Sequence, residues 1–121
     1  MLKKYTPELK KIAMGVLTYN KLRIKATNLE NQIEKLTSNP ENEIYLWRGP
    51  DNHYDGLVII EKYDKSIVVV KKIILRNNLK NTEMYNTILN GLQNQMPDKI
   101  IMGVEKLKDI FLEWEKILKK I

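Results

Sequence analysis

The apolar positions of residues 66–96 change from a strand-like to a helix-like pattern. Residues 67–75 are rich in β-branched side chains (IVVVKKIIL), which predicts a strand buried on both faces at its start. After a polar break at residues 76–81, apolar and aromatic residues recur at helical spacing: Tyr85, Ile88, Leu89, Leu92 and Met96. The first turn of a helix has unpaired N–H groups and a positive dipole end. The place where this strand leads into the helix therefore favours binding of an anion.

Similar patterns predict the elements on either side. Before this stretch we expect a short strand at 2–5, a helix from Thr6-Pro7-Glu8, a helix over about 27–37, and strands at 43–48 and 57–61. The turns between the three consecutive strands are short, which predicts an antiparallel meander. After it we expect a short strand at 99–102, ended by Gly103, and an amphipathic helix over 105–120.

The order of these elements predicts the fold class. The strand at 66–75, the helix from Thr82 and the strand at 99–102 form a βαβ unit, whose two strands should be parallel neighbours. The chain is therefore predicted to be α+β, a single domain over 1–121 with a mixed central sheet and helices on both faces. Tyr45, Trp47 and Trp114 stand among apolar neighbours, which favours core packing over a stacking platform for bases.

Composition narrows the chemistry. The 121 residues include no cysteine, which excludes disulfides, thiolate metal sites and thiol nucleophiles, and we predict no metal site. No apolar run reaches the roughly 20 residues of a membrane-spanning helix. The N-terminus turns polar at once and does not resemble a secretory signal, so we predict a cytoplasmic protein.

The net charge of +6 is concentrated near the N-terminus. Residues 1–40 hold eight Lys or Arg against three Glu, while residues 41–96 hold seven charges of each sign. Such an excess suits an anionic partner such as nucleic acid or a nucleotide-bearing cofactor. No Arg cluster or nucleic-acid motif accompanies it, so a solvated helix face is favoured and nucleic-acid binding is the weaker hypothesis.

Element order and short strings together resemble a known family. Residues 10–17 (KKIAMGVL), residues 45–48 (YLWR) and Asp55-Gly56 are similar to segments of RibT-type proteins, small GNAT acyltransferases encoded in bacterial riboflavin-biosynthesis operons. The resemblance covers nearly the whole chain, without the last two strands of the GNAT fold. It implies transfer of an acetyl group from acetyl-CoA to an unidentified amine acceptor, with a link to riboflavin metabolism.

The resemblance also implies a cofactor site. In GNAT proteins the pantetheine arm pairs with the strand that corresponds to 66–75, here through the backbone of Ile73, Ile74 and Leu75. The pyrophosphate lies on a loop of pattern Arg/Gln-x-x-Gly-x-Gly/Ala, which aligns with residues 80–85 and implies binding by Lys80, Asn81, Thr82, Met84 and Tyr85. Glu83 and Tyr85 replace the two small residues. A carboxylate about 4 Å from a phosphate charge would cost on the order of 4 kcal/mol at an effective dielectric of 20.

The reactive end departs from the family as well. Leu112 stands where members often have a Tyr that protonates the leaving thiolate, and a leucine donates no proton. Candidate bases for the acceptor ammonium are Glu61, which we rank first, His53 and Tyr63. The composition around His53 favours a solvated residue in a turn. The alternation Glu61-Lys62 also fits a solvent-exposed face of a strand. The alternative function is a GNAT-fold pseudoenzyme that acts as a binding or scaffolding subunit.

An uncovered apolar surface follows from the missing strands. The final helix carries a wide apolar face, and the strand at 99–102 would lie at a sheet edge. A second copy of the chain could cover either of them, so we predict a homodimer.

Overall fold

A computed structural model describes residues 1–19 and 26–119. Its strands are β1 (Leu2–Lys4), β2 (Asn42–Arg48), β3 (Tyr54–Lys62), β4 (Ile67–Leu75) and β5 (Ile100–Gly103). Its helices are α1 (Lys10–Leu17), α2 (Ala26–Thr37), α3 (Thr82–Gln95) and α4 (Lys108–Lys119), with 3-10 turns at Pro7–Leu9, Asn77–Leu79 and Glu105–Leu107. Within these ranges no helix is both long and apolar enough to span a bilayer.

The five strands form one mixed sheet in the order in which they occur along the chain. The pairs β1–β2, β2–β3 and β3–β4 are antiparallel, while β4 and β5 are parallel, from Ile67 opposite Ile100 to Val70 opposite Gly103. The predicted meander, the parallel pair and the α+β class are confirmed.

Helices cover the sheet on both faces, as predicted. Helices α1 and α2 pack on one face over side chains that include Leu46, Leu57 and Ile74. Helices α3 and α4 pack on the other face over Val58, Val70 and Leu75. Tyr45, Trp47 and Trp114 are buried in this second cluster, so their prediction as core residues is confirmed.

The predicted burial of β4 is wrong at its start. Ile67 and Val69 are only half-buried there and alternate with the buried Val68 and Val70. The three consecutive buried residues, Ile73, Ile74 and Leu75, lie at the end of the strand. On their face of the sheet, helices α1 and α2 do not extend over the edge strand β5, where Ile100 and Met102 are 59% and 50% exposed.

Some boundaries also differ from prediction. Strand β3 begins at Tyr54, three residues before the predicted start. Gly103, which was expected to follow the last strand, is the final residue of β5. A Cβ on Gly103 would lie 2.3 Å from the ring of Phe111, so a glycine is needed where α4 approaches the strand. The final helix begins with the 3-10 turn, and Lys120 lies outside the described residues.

Much of the basic N-terminal segment is either paired or outside the described residues. Lys21, Arg23 and Lys25 belong to the undescribed part of the chain. Lys4 forms an ion pair with Glu43, and Lys10 forms ion pairs with Glu30 and Glu34. Nucleic-acid binding by this segment stays an untested hypothesis.

Candidate active site

A β-bulge interrupts the pairing of β3 with β4. Ile60 lies opposite Val70 and Ile59 lies opposite Lys72, so Lys71 is an extra residue on β4. A bulge re-aims every residue beyond it, and bulges are frequent beside active sites. Its position divides β4 into a first half that pairs with β5 and a second half, residues 72–75, that extends past the end of β5.

Beyond the bulge, the strand alternation determines which backbone groups of β4 face the open side. The N–H of Arg76 donates to the carbonyl of Asp55 at 3.0 Å, so these two residues form a hydrogen-bonded pair. Counting back along an antiparallel ladder, Ile74 also points its backbone at β3, while Leu75 and Ile73 point theirs away from β3. On that side the parallel pairing ends with the N–H of Val104 donating to the carbonyl of Val70, at 3.1 Å.

This geometry sharpens the prediction for β4. The backbone N–H and C=O groups of Ile73 and Leu75 point to the edge of β4 that extends past the end of β5. A ligand that adds to the sheet as an extra strand would need such groups. The backbone of Ile74 is directed at Leu57 instead, so the structure does not bring it to the same edge.

A cavity of about 260 Å³ lies between the start of α3 and helix α4. Its lining includes four of the residues predicted to bind the cofactor, together with one buried amide and three residues of α4: Lys80, Asn81, Thr82, Tyr85, Asn86, Asp109, Ile110 and Glu113. A volume below the usual 300–1,000 Å³ of ligand pockets suits one segment of a ligand more than a whole one.

One side chain caps the first turn of α3. The side chain of Asn81 accepts a hydrogen bond from the N–H of Met84 at 2.8 Å, which uses one of the free amides. The side chain of Met84 packs against the apolar core and does not line the cavity. Of the residues in this loop that were predicted to bind the cofactor, Met84 is the one that the cavity wall lacks. Glu83 is exposed on this first turn, where a carboxylate suits the helix dipole.

Asn86 is the buried polar residue of the cavity wall. It is 7% exposed, and its Oδ1 has no hydrogen-bond partner in the described structure. A buried acceptor without a donor costs roughly 1–3 kcal/mol, so such an atom calls for an explanation. Tyr85 beside it is half-buried, and burial raises the pKa of its hydroxyl, which therefore stays protonated at neutral pH.

A second polar cluster lies at the end of β4 on the α1 face. The guanidinium of Arg76 is 2.8 Å from Oδ1 of Asp55, a residue that is only 6% exposed. The same guanidinium lies 5.7 Å from the ring centroid of Tyr19, whose hydroxyl donates to the carbonyl of Tyr54 at 2.8 Å. Its interactions with Tyr19 and Asp55 raise the pKa of Arg76. These contacts hold the end of β4 against β3 and α1.

The structure does not gather the predicted catalytic residues at the cavity. Glu61 lies opposite Val69, six residues before Leu75, which is about 20 Å along a strand. Its carboxylate pairs with Lys71 at 3.0 Å, so its role as a base stays a prediction without a nearby site. Tyr63 is 70% exposed after β3, and His53 is exposed in the turn before β3.

The residue aligned with the family's general acid points away from this cavity. Leu112 is 45% exposed and lines a separate groove beside β5, on the far side of α4. Phe111, the residue before it, is buried against Gly103.

Sequence reasoning missed the bulge and three polar residues of the cavity. The pair Lys71-Lys72 could have revealed the bulge, because two adjacent exposed residues break the alternation of a strand. Asn86 interrupts the apolar side of α3, which was the only signal for it. Nothing in the local pattern connected Asp109 and Glu113 to residues 80–86.

A larger cavity, of about 490 Å³, lies at the other end of the sheet between α2 and β2. Its charged side chains are paired with each other: Glu43 lies 2.9 Å from Lys62 and 3.5 Å from Lys4. In the described ranges, no group of three or more His, Asp or Glu side chains is arranged to hold a metal ion. The cavity beside α3 is therefore the better candidate, despite its size.

Comparisons with known proteins agree on the fold. No protein-family model matches the sequence, and no curated protein gives a match. Among solved structures, a GNAT family acetyltransferase of Staphylococcus aureus superposes with a TM-score of 0.66 at 11% identity, over 85% of this chain and 83% of that chain. The spermidine/spermine N-acetyltransferase SpeG of Vibrio cholerae gives a TM-score of 0.63 at 13% identity, over 95% and 75% of the two chains. The chain thus has the fold of the GNAT acetyltransferases.

Proposed function

We propose that this protein is an N-acyltransferase that transfers an acetyl group from acetyl-CoA to an amine. One observation carries the proposal. Ile73 and Leu75 direct their backbones to the edge of β4 that extends past the end of β5, and a cavity lies at the start of the next helix, α3. The GNAT fold supports it, since one acetyltransferase that shares the fold, SpeG, is a spermidine/spermine N-acetyltransferase.

The chemistry follows from this geometry. The pantetheine arm would add to the open edge of β4, with the thioester carbonyl accepting a hydrogen bond from a backbone N–H near Leu75. The neutral amine attacks the thioester carbon, a C–N bond forms and the C–S bond breaks. The amine gives up its proton to a base or to water, and the thiolate takes one up from solvent, because Leu112 has none to donate.

The identity of the acceptor goes one step further. We propose a small-molecule amine, and the resemblance to RibT-type proteins suggests that it belongs to riboflavin metabolism. The short strings at residues 10–17 and 45–48 support this assignment.

A donor-dependent stabilisation tests the proposal. Acetyl-CoA at about 100 times its dissociation constant should raise the free energy of unfolding by about 2.7 kcal/mol. Release of free thiol with a panel of amines would then demonstrate turnover. An unchanged melting temperature at millimolar acetyl-CoA would refute the proposal.

The pseudoenzyme alternative has observations of its own. Glu83 and Tyr85 occupy the positions where the family has small residues, and Leu112 replaces the proton donor. Under this alternative the protein serves as a binding or scaffolding subunit. It predicts that no thiol is released in the amine panel, whether or not the donor binds.

We also propose that the protein forms a homodimer through β5. Ile100 and Met102 are exposed on one side of this edge strand. Antiparallel pairing about a two-fold axis at Ile101 would place Ile100 opposite Met102 of the partner subunit, so apolar side chains meet. Light scattering at micromolar concentration should give twice the monomer mass, and Met102→Lys should halve it. A monomeric wild-type protein would contradict the proposal.

A further inference from the structure

We infer that the amine acceptor of this protein carries an anionic group, a carboxylate or a phosphate, on an apolar body, and that polyamines are poor acceptors. The inference rests on the proposed function and names its acceptor class. It follows from a second cavity beside β4, which lies on the face of the sheet opposite to the cavity beside α3.

This second cavity, the α2 cavity, has a volume of about 460 Å³ and lies between α2 and the bulge of β4. Its volume is within the usual 300–1,000 Å³ of ligand pockets. Its floor is apolar and consists of side chains that belong to the core cluster under α1 and α2: Leu17, Leu36 and Ile59. The cavity can therefore hold the apolar part of a small molecule.

The α2 cavity adjoins the open edge of β4. The bulge residues Lys71 and Lys72 line its wall, and Ile73, the first residue beyond them with its backbone directed to the open edge, follows directly. Leu75 lies about 10 Å from Lys72 along the strand, at about 3.3 Å per residue. The cavity beside α3 is on the other face, where α3 and α4 pack. A donor and an acceptor can thus reach the open edge from opposite faces.

The charged side chains of the α2 cavity are cationic. Lys35, Lys71 and Lys72 line it, and the described part of its wall contains no Asp or Glu. Glu61 forms an ion pair with Lys71 at 3.0 Å, but this carboxylate can offset at most one of the three cations. The wall therefore attracts an anionic group and repels a polyamine, which carries two or more ammonium groups.

The bulge supplies the independent observation. In a regular strand, adjacent side chains point to opposite faces, so only one of two successive lysines could line the cavity. The extra residue in β4 brings both Lys71 and Lys72 to the face that α1 and α2 cover. The irregularity that precedes the open edge thus also places a pair of cations beside the path of the acceptor.

Three amines with the same six-carbon chain test the inference in the thiol-release assay with acetyl-CoA: 6-aminohexanoate, hexylamine and hexamethylenediamine. They end in a carboxylate, a methyl group and a second ammonium group. The value of kcat/KM should be at least about tenfold higher for 6-aminohexanoate than for the diamine, with hexylamine between them. Equal or faster turnover of the diamine would overturn the inference and leave the proposed function intact. Absence of thiol release with all three amines and with spermidine would overturn both.

Charge reversal at Lys35 gives a matched pair of variants. Lys35→Glu should lower the ratio of kcat/KM for 6-aminohexanoate to that for hexamethylenediamine by about tenfold, chiefly through KM, and leave the KM for acetyl-CoA unchanged. Lys106→Glu makes the same change of charge in the 3-10 turn before α4, outside the described lining of the cavity, and should leave the ratio unchanged. A partial loss of folded protein does not move a ratio of two acceptors. Equal ratios in Lys35→Glu and the wild type would overturn the inference.

Discussion

Glu43 and Asn86 are both largely buried polar side chains, yet one is satisfied and the other is not. The Glu43 side chain is 13% exposed and is surrounded by Lys4, Lys62 and the hydroxyl of Tyr45, which donates to it at 2.8 Å. The Oδ1 of Asn86 is buried with no donor in the described structure. A polar group whose partners are in the fold stabilises the fold, whereas a buried one without partners lowers its stability.

The pKa of Glu43 reflects this pairing. Burial alone would raise it, but the hydrogen bonds from Lys62 and Tyr45 and the charge of Lys4 outweigh burial and hold the pKa below its ordinary value. The pKa of Tyr45 is raised in turn by burial and by the neighbouring carboxylate. The two groups thus support each other as a neutral hydroxyl and an ionised carboxylate.

The largest expected effect is the loss of this pairing. Glu43→Gln removes the charge that Lys4 and Lys62 face, and it should lower the free energy of unfolding by about 2 kcal/mol, because hydrogen bonds to charged groups are worth about 1.5–3 kcal/mol. In a domain of this size the melting temperature should fall by roughly 6–10 °C. A change of less than roughly 1 °C would show that the cluster is not structural.

The pH dependence of that loss should follow from the depressed pKa. A carboxyl whose pKa is lowered on folding contributes stability above its unfolded pKa, and the contribution disappears as the pH falls through the folded pKa. The gap in stability between the wild type and Glu43→Gln should therefore be full at pH 7 and shrink below about pH 4. Urea unfolding at a series of pH values measures it, and a gap that is constant down to pH 2 would contradict the assignment.

The smallest expected effect on stability is at Asn86. Asn86→Leu keeps the approximate shape and removes an acceptor that has no partner, so the free energy of unfolding should stay within about 0.5 kcal/mol of the wild type or rise. Urea unfolding of the variant and the wild type measures the difference. A destabilisation as large as that of Glu43→Gln would mean that Asn86 has a structural partner after all.

The same contrast explains what the sequence could and could not predict. Strand β4, helix α3 and the parallel neighbour β5 are visible in the periodicity, since each depends on its own residues. The cavity depends on α4 meeting α3, which brings Asp109 and Glu113 to Lys80 across more than 25 residues of chain. Local patterns carry no information on such a contact.

Burial along β4 shows the limit at the level of a single strand. The run of valines at its start suggested two covered faces, but cover depends on where the helices end. The end of the strand is covered on both faces because α3 packs over Leu75 and α1 packs over Ile74. The bulge at Lys71 then decides which backbone groups reach the open edge.

Amide chemical shifts during a titration with acetyl-CoA would test the central claim most directly. If the donor adds to the open edge of β4, the amides of Ile73 and Leu75 should shift strongly, and that of Ile74, which pairs with β3, should shift little. Shifts that are equal at all three amides, or confined to residues near Glu43, would contradict a pantetheine site at this edge.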